Sequence, residues 1–279
     1  MKTARLLISC EDRPGIVAAV AGFLAERGAN IVALDQHSTG GRDGEFFARV
    51  EFEPGDGDLD EASFAPIAER FGMEWELAHP GKRKRVAIMV SRYDHCLVDL
   101  LWRWRRGELL GDVSLVLSNH ADLADEAARA GVAFECVPVA SADAKPAAEA
   151  RMLSLLAGQF DLVVLARYMQ ILSADFLARV GCPVINIHHS FLPSFAGADP
   201  YRRAADRGVK LIGATAHYVT EDLDEGPIIE QDVERVHHGH DVGALTRIGE
   251  DVERTVLARA VQWHCEDRVV RDGERTIVF

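Results

Sequence analysis

The stretches Leu162-Val163-Val164-Leu165-Ala166 and Val184-Ile185-Asn186-Ile187-His188 decide the fold of the larger part of this 279-residue chain. Both are short apolar runs, of the kind that forms a strand buried on both faces of a parallel sheet. Apolar residues at helical spacing over 174–179 lie between them. Strand, helix and strand in this order predict a βαβ unit, with both strands ending at one edge of the sheet.

The same alternation extends outward from this unit. The predicted strands are 86–91, 113–118, 134–138, 162–166 and 184–187, and the predicted helices are 95–104, 121–130, 142–157 and 174–179. Segments 211–219 and 227–234 predict a long antiparallel pair, and 242–265 predicts a helix. We therefore expect a Rossmann-like, mostly parallel α/β sheet that is covered on both faces.

The first 80 residues follow a different pattern. Strands are predicted at 5–9, 31–38, 45–52 and 74–78, and helices near 16–27 and 60–71. This order is a ferredoxin-like βαββαβ arrangement. The basic run Lys82-Arg83-Lys84-Arg85 follows Pro80-Gly81 and predicts a solvated linker, so we place the domains at 1–82 and 83–279.

Composition excludes several classes of function. The net charge is −13, from 44 acidic and 31 basic side chains, which argues against nucleic acid as a partner. No apolar run reaches membrane-spanning length, so no membrane partner is predicted. The five cysteines are scattered without a C-x-x-C pair, which favours a reducing cytoplasm. We expect a cytoplasmic protein that acts on small molecules.

Polar side chains cluster at the predicted strand ends. Asn186 and His188 end one strand, and Asp224 follows a later one. An amide can donate to an oxyanion, an imidazole can move protons, and a carboxylate can orient an imidazole. Loops 91–96 and 167–172 are predicted to open on the same crevice, because ligands bind beyond the carboxyl ends of such strands. The set predicts acyl transfer or amide hydrolysis.

The order Asn186-x-His188, then His217, then Leu223-Asp224-x-Gly226-Pro227 resembles the folate-dependent formyltransferase fold family over residues 85–261. The segment 165–172 is similar to the folate-pocket loop of that family. The resemblance implies Asn186, His188 and Asp224 as the catalytic residues. It also implies folate contacts at Arg167, Met169, Gln170, Leu172, His217, Glu221, Asp222 and His95. Gln170 is a departure, since family members often carry Arg there.

The N-terminal residues Asp12-Arg13-Pro14-Gly15-Ile16-Val17 and Gly28-Ala29-Asn30-Ile31 resemble the ACT domain. The resemblance implies an amino-acid effector at Asp12, Pro14, Gly15 and Asn30, and a homo-oligomer, a dimer or tetramer. A helix N-terminus attracts a carboxylate, which suits such a ligand. The alternative is structural, with Asp12 capping the helix and Gly15 permitting a tight turn.

Two features resemble the deformylase branch of the formyltransferase fold family. One is the fused ACT-like segment. The other is the loop Ser91–Leu97, whose Tyr93, Asp94 and His95 suit a nucleotide phosphate poorly. The resemblance implies hydrolysis of 10-formyltetrahydrofolate to formate and tetrahydrofolate, without a cofactor or metal. That reaction would feed formate to purine biosynthesis and balance the one-carbon folate pools. The alternatives are formyl transfer to an amine acceptor, a non-catalytic amino-acid sensor, and a zinc amidohydrolase.

Two further histidine features carry predictions. If the strand through His188 continues, His189 faces the opposite side and either has a structural role or supports the site residues from behind. The tract His237-His238-Gly239-His240 lacks a carboxylate or thiolate at a fixed helical offset, so it predicts a surface turn in place of a metal site.

Overall fold

The computed structural model describes residues 3–40, 44–55, 59–192 and 200–279. The chain forms two compact units. One comprises Met1–Lys82 with Glu266–Asp272 and Thr276–Phe279, and the other comprises Arg83–Cys265 with Gly273–Arg275. Among the described residues, every helix is too short or too polar to cross a membrane.

The first unit is a ferredoxin-like α/β sandwich. Its elements are β1 (Ala4–Glu11), α1 (Ile16–Glu26), β2 (Asn30–Ser38), β3 (Glu45–Glu53), α2 (Glu61–Phe71) and β4 (Glu74–Ala78). The strands lie in the order β2-β3-β1-β4 and pair antiparallel. This topology confirms the predicted βαββαβ fold.

Both helices of this unit bury one apolar stripe against the sheet. Ile16, Val20, Phe23 and Leu24 of α1 recur at helical spacing and are buried. Helix α2 begins with a capping box, in which the Asp60 carboxylate accepts the Ser63 backbone N–H at 2.9 Å. The spacing of apolar residues therefore fixes which face of each helix enters the core.

Most of the C-terminal tail, Glu266–Asp272 and Thr276–Phe279, groups with the first unit, whereas the prediction assigns all of 83–279 to the second domain. Arg49 Nε donates to the Asp267 carbonyl at 3.0 Å, and Arg5 Nε lies 3.2 Å from the Asp267 carboxylate. The tail continues as β12 (Val269–Asp272) and β13 (Arg275–Val278). Neither strand was predicted, because four-residue strands carry too little periodicity to be recognised.

The second unit contains the predicted α/β alternation. Its elements are β5 (Arg85–Val90), α3 (His95–Arg105), β6 (Asp112–Ser118), α4 (Ala124–Ala130), β7 (Ala133–Cys136), α5 (Lys145–Leu156), β8 (Leu162–Leu165), α6 (Ala174–Val180), β9 (Val184–His188), α7 (Pro200–Arg207), β10 (Leu211–Tyr218), β11 (Ile228–Arg235) and α8 (Val242–Cys265). The predicted elements are present within a few residues of their bounds, and α7 is an addition.

The seven strands of this sheet have the order β11-β10-β9-β8-β5-β6-β7. The pairs from β9 to β7 are parallel, and β10 pairs antiparallel with both of its neighbours. The predicted mostly parallel sheet is confirmed. The chain enters at β5, in the middle, so the order reverses between β5 and β8, where such sheets open a ligand crevice.

Candidate active site

A cavity of about 370 Å³ lies beyond the ends of β8 and β9. Its volume falls within the range of small-molecule sites. The lining residues are Leu165, Arg167, Tyr168, Met169, Gln170, Ile171, Leu172, Asn186, Ile187, His188, His189, His217, Val219, Thr220, Glu221, Leu223 and Asp224. The predicted catalytic residues thus line one cavity with most of the predicted folate contacts.

The imidazole of His188 and the carboxylate of Asp224 are in contact. His188 Nδ1 lies 3.2 Å from Asp224 Oδ2. His188 is 8% exposed, and its Nε2 has no hydrogen-bond partner among the described residues. Because Nδ1 is held by the carboxylate, Nε2 is the atom that remains for a ligand.

Asn186 is oriented by a second imidazole, that of His217. The two residues lie opposite each other on β9 and β10. His217 Nδ1 lies 3.0 Å from the Tyr218 carbonyl, which only accepts, so Nδ1 donates. Its Nε2 lies 3.2 Å from Asn186 Nδ2 and 3.6 Å from Asp224 Oδ1, so it faces both the amide and the carboxylate. Because the amide carries two N–H groups, one of them is available to a ligand in the cavity.

Asp224 is held as a carboxylate in a strained backbone conformation. The hydrogen bond from His188, followed by the His217 imidazole 3.6 Å from Oδ1, keeps the pKa of Asp224 well below its usual range. Its φ is +60°, a backbone conformation that residues other than Gly rarely adopt. Asp tolerates this region better than most residues, so the turn places a carboxylate where few other residues would fit.

The loop after β8 is pinned at both ends. The Ser91 hydroxyl accepts the Met169 backbone N–H at 2.9 Å, and the Glu149 carboxylate accepts the Ser173 backbone N–H at 3.0 Å. Ser91 supports the loop without lining the cavity itself, and Tyr93 of the predicted loop 91–96 contacts the cavity-lining Arg167. The backbone of 169–172 is thereby held in a fixed position against the cavity.

Apolar side chains surround the cavity at its exposed rim. Met169, Ile171 and Leu223 are 50%, 61% and 60% exposed, respectively. Exposed large apolar side chains grouped around a cleft mark a binding site for an apolar or flat aromatic group. Asp222, although predicted as a contact, does not line the cavity; its carbonyl accepts the Thr220 hydroxyl at 3.1 Å and the Glu225 backbone N–H at 3.4 Å.

His95, although predicted as a substrate contact, does not line the cavity. Its Nε2 lies 2.9 Å from Glu253, a carboxylate of α8 that is fully buried. Glu253 also accepts the Tyr201 hydroxyl at 2.5 Å and lies 3.4 Å from Arg167 Nε. Tyr201 reaches it only because Gly249 has no Cβ.

Arg167 lines the cavity, but its guanidinium contacts Glu253. Besides the Glu253 contact, the guanidinium stacks over the Tyr93 ring at 4.8 Å. Its own backbone is left-handed, with φ +62°. Although burial opposes ionisation, hydrogen bonding from His95 and the Arg167 charge hold the pKa of Glu253 below its usual value. Arg167 fixes the start of the pocket loop.

Ligand atoms of His95, Cys96 and Glu253 lie within 4.8 Å of one another, as in some metal sites. Arg167 already occupies the same carboxylate, and its charge opposes a cation. Burial raises the pKa of the Cys96 thiol, which disfavours the thiolate that a metal requires. The residues 237–240 form an exposed turn, as predicted. These features give no support to the zinc amidohydrolase alternative.

A second, smaller cavity lies in the first unit, with a volume of about 270 Å³. Asp12 and Gly15 line it, with Gln36 and Ser38 of β2. Pro14 and Asn30, also predicted as effector contacts, do not line this cavity. Asn30 is the first residue of β2, whereas Gln36 and Ser38 lie near its end. The Asp12 carboxylate accepts the Ser38 hydroxyl at 2.5 Å. The N-cap residue of α1 is Gly15, with φ +99°, so the alternative that Asp12 caps α1 is wrong.

Comparison with known proteins agrees with this architecture. The formyl transferase family matches residues 84–261, and the ACT domain matches residues 4–62. With its parallel sheet and its amide, imidazole and carboxylate around one cavity, the chain belongs to the formyl transferase family.

Full-length relatives narrow this class. Formyltetrahydrofolate deformylase of Mycobacterium bovis is 59% identical over 99% of this chain and 90% of that protein. The Bacillus subtilis protein of the same name is 51% identical, over 99% and 93%. A crystal structure of a formyltetrahydrofolate deformylase from Pseudomonas syringae has a TM-score of 0.95 and 48% identity, covering 100% of this chain and 95% of that one. The chain is a member of the formyltetrahydrofolate deformylase family.

Proposed function

We propose that this protein hydrolyses 10-formyltetrahydrofolate to formate and tetrahydrofolate. The observation that carries the proposal is the meeting of Asn186, His188 and Asp224 in one cavity with an apolar rim. The family relationship supports the same reaction, because the relatives over nearly the full chain are named as deformylases.

The substrate's flat pteridine suits the apolar part of the cavity. Its ring nitrogens and exocyclic groups need hydrogen bonds, which the backbone of 169–172 can supply from the pinned loop. Gln170 lines the cavity as well and contributes a neutral amide. The formyl group then lies toward Asn186 and His188.

The oxyanion is stabilised by two donors. As water attacks the formyl carbon, the C=O electron pair moves to oxygen, and Asn186 Nδ2–H donates to that oxygen. His188 donates to it from Nε2–H while its Nδ1–H donates to Asp224, which requires the imidazolium form of the ring. The loss of one such donor typically costs about 3 kcal/mol of barrier. His217 acts indirectly, since it orients the Asn186 amide.

Asp224 orients the attacking water and takes its proton. A carboxylate with a strongly lowered pKa is a weak base, so the proton passes on to the folate N10 as the C–N bond breaks. Water has then supplied one oxygen to formate and one hydrogen to N10, which balances the reaction. No metal or resident cofactor is required in this scheme.

The test is an assay without any amine. Purified protein is mixed with 10-formyltetrahydrofolate, and tetrahydrofolate is followed by absorbance while formate is measured in the same sample. We expect equal amounts of both products with water as the only acceptor. If product formation depends on an added amine, the alternative of a formyltransferase is correct.

The remaining parts of the proposal concern context. We propose that the protein works in the cytoplasm, where its formate feeds purine synthesis and its turnover balances the folate pools. We also propose that the ACT domain binds an amino acid near Asp12 and Gly15 and that the chain forms a homo-oligomer. The cavity beside the N-terminus of α1 supports an effector with a carboxylate. Titration with single amino acids in the amine-free assay tests the regulation, and light scattering tests the oligomer.

A further inference from the structure

His189 occupies a position that the strand pattern does not predict. Strand β9 ends at His188, so His189 does not turn to the opposite face of the sheet. Its ring stacks on that of His188, with centroids 4.9 Å apart and planes 20° apart. It lines the same cavity as Asn186 and Asp224. Strand alternation predicts a structural or supporting role for a ring that faces the opposite side, and the end of β9 at His188 removes the basis for that orientation.

The Nε2 nitrogen of this ring is buried and has no hydrogen-bond partner among the described residues. A buried polar atom without a partner is costly, and such atoms commonly mark a position that a water or ligand fills. The same holds for His188 Nε2 beside it.

The surroundings of His189 favour its neutral form. Burial, the Arg167 guanidinium and the neighbouring His188 lower the pKa of His189 to about 4, against the smaller opposing effects of Glu253 and Asp224. A neutral imidazole keeps one nitrogen as a hydrogen-bond acceptor. His188 and His189 can therefore differ in role although they are adjacent, one as a donor and the other as an acceptor.

The proposed reaction needs such an acceptor. An attacking water directs a lone pair at the formyl carbon, so both of its hydrogens point away from the substrate. Asp224 accepts one of them. The second hydrogen requires another acceptor close to the formyl group, or the water is left poorly oriented.

We propose that His189 is a further catalytic residue, whose Nε2 accepts the second hydrogen of the attacking water. This role rests on the proposed hydrolysis. This second hydrogen is not transferred to His189. It stays on the water oxygen, which becomes part of formic acid, and it leaves as a proton when formic acid ionises to formate. The ring carries its own proton on Nδ1.

Three substitutions separate this role from simple packing. His189→Gln places an amide oxygen near the position of Nε2, His189→Asn places it near Nδ1, and His189→Leu fills similar space without an acceptor. The readouts are kcat and KM for 10-formyltetrahydrofolate without any amine, with thermal unfolding of each variant as the check on folding.

We expect His189→Gln to keep kcat within about threefold of the native protein, and the Asn and Leu variants to lose about tenfold, which corresponds to one hydrogen bond. KM should change less than twofold in all three, because the water and not the folate loses its contact. A native kcat in the Leu variant overturns the proposal, as does an equal loss in Gln and Leu. If the Leu variant does not fold, the Gln and Asn variants decide.

The native protein serves as the control that separates the proposed hydrolysis from the proposed role of His189. If it releases no formate without an amine, the proposed hydrolysis itself fails. If it releases formate but the Gln, Asn and Leu variants behave alike, only the role of His189 fails.

Discussion

Replacing Asp224 with Asn removes the carboxylate on which the proposed mechanism depends and changes little else. Asn has nearly the same shape, and it tolerates the left-handed backbone of this position, where φ is +60°. An Ala at the same site would add backbone strain to the chemical effect. Asp224→Asn therefore isolates the charge.

The magnitude follows from the two contacts of Asp224. His188 lies 3.2 Å from one carboxylate oxygen and His217 lies 3.6 Å from the other. A hydrogen bond to a charged group contributes about 1.5–3 kcal/mol. Weakening the His188 contact and losing the charged contact to the attacking water then costs about 3–6 kcal/mol of barrier. We expect kcat to fall roughly 10²- to 10⁴-fold, since 1.36 kcal/mol corresponds to a factor of ten.

The assay is amine-free formate release, with a direct binding titration of a non-hydrolysable folate beside it. The folate Kd should change less than about threefold, because the pteridine contacts come from other residues. Glu225→Gln is the matched control, since this neighbouring carboxylate is exposed and does not line the cavity. Undiminished turnover in Asp224→Asn would refute the role of the carboxylate, and an equal loss in Glu225→Gln would indicate damage to the loop.

Four other outcomes are expected. Asn186→Ala should lower kcat by roughly 10²- to 10³-fold with little change in KM, measured by steady-state kinetics, because one oxyanion donor is lost. Gly226→Ala should destabilise the fold by about 2 kcal/mol in urea unfolding, since its Cβ would lie 1.8 Å from the Tyr218 carbonyl oxygen. Glu253→Gln should cost about 3 kcal/mol in the same measurement, because a buried guanidinium loses its charged partner. The lowered pKa of Asp224 stabilises the folded state at pH values above the unfolded pKa of about 4, and this contribution is lost as pH falls through the folded pKa. The stability difference between the native protein and Asp224→Asn should thus stay constant from pH 7 to about 5 and shrink below about 4.

Much of this architecture could be predicted because it follows from local patterns. The apolar runs of β8 and β9 and the 24-residue helix α8 have lengths and periods that admit one interpretation. The meeting of Asn186 with Asp224 was implied by the family resemblance and not by the strand pattern, because β9 and β10 run antiparallel and their carboxyl ends lie at opposite edges of the sheet.

The failures concern contacts between distant parts of the chain. The predictions did not include the contacts of His95 and Arg167 with Glu253, a residue 158 positions after His95, although Arg167 lines the cavity as expected. A signal was present, since Glu253 shares the buried face of α8 with Gly249 and Leu257. A carboxylate on an apolar stripe needs a buried partner, although the pattern does not say which one.

The orientation of His189 was not predicted, for a different reason. Its orientation depended on whether β9 continued for one more residue, and strand ends are the least certain part of any pattern. The strand stops at His188, so two adjacent imidazoles stack beside the cavity. A one-residue difference in a strand end thus changed a predicted structural or supporting residue into a candidate for catalysis.

The most direct test of the central claim is the source of the second oxygen in formate. The protein is incubated with 10-formyltetrahydrofolate in water enriched in ¹⁸O, without any amine, and the formate is analysed by mass spectrometry. Attack by water at Asn186, His188 and Asp224 predicts one labelled oxygen in each formate and one tetrahydrofolate for each formate. Unlabelled formate, or none until an amine is supplied, would contradict hydrolysis at this site.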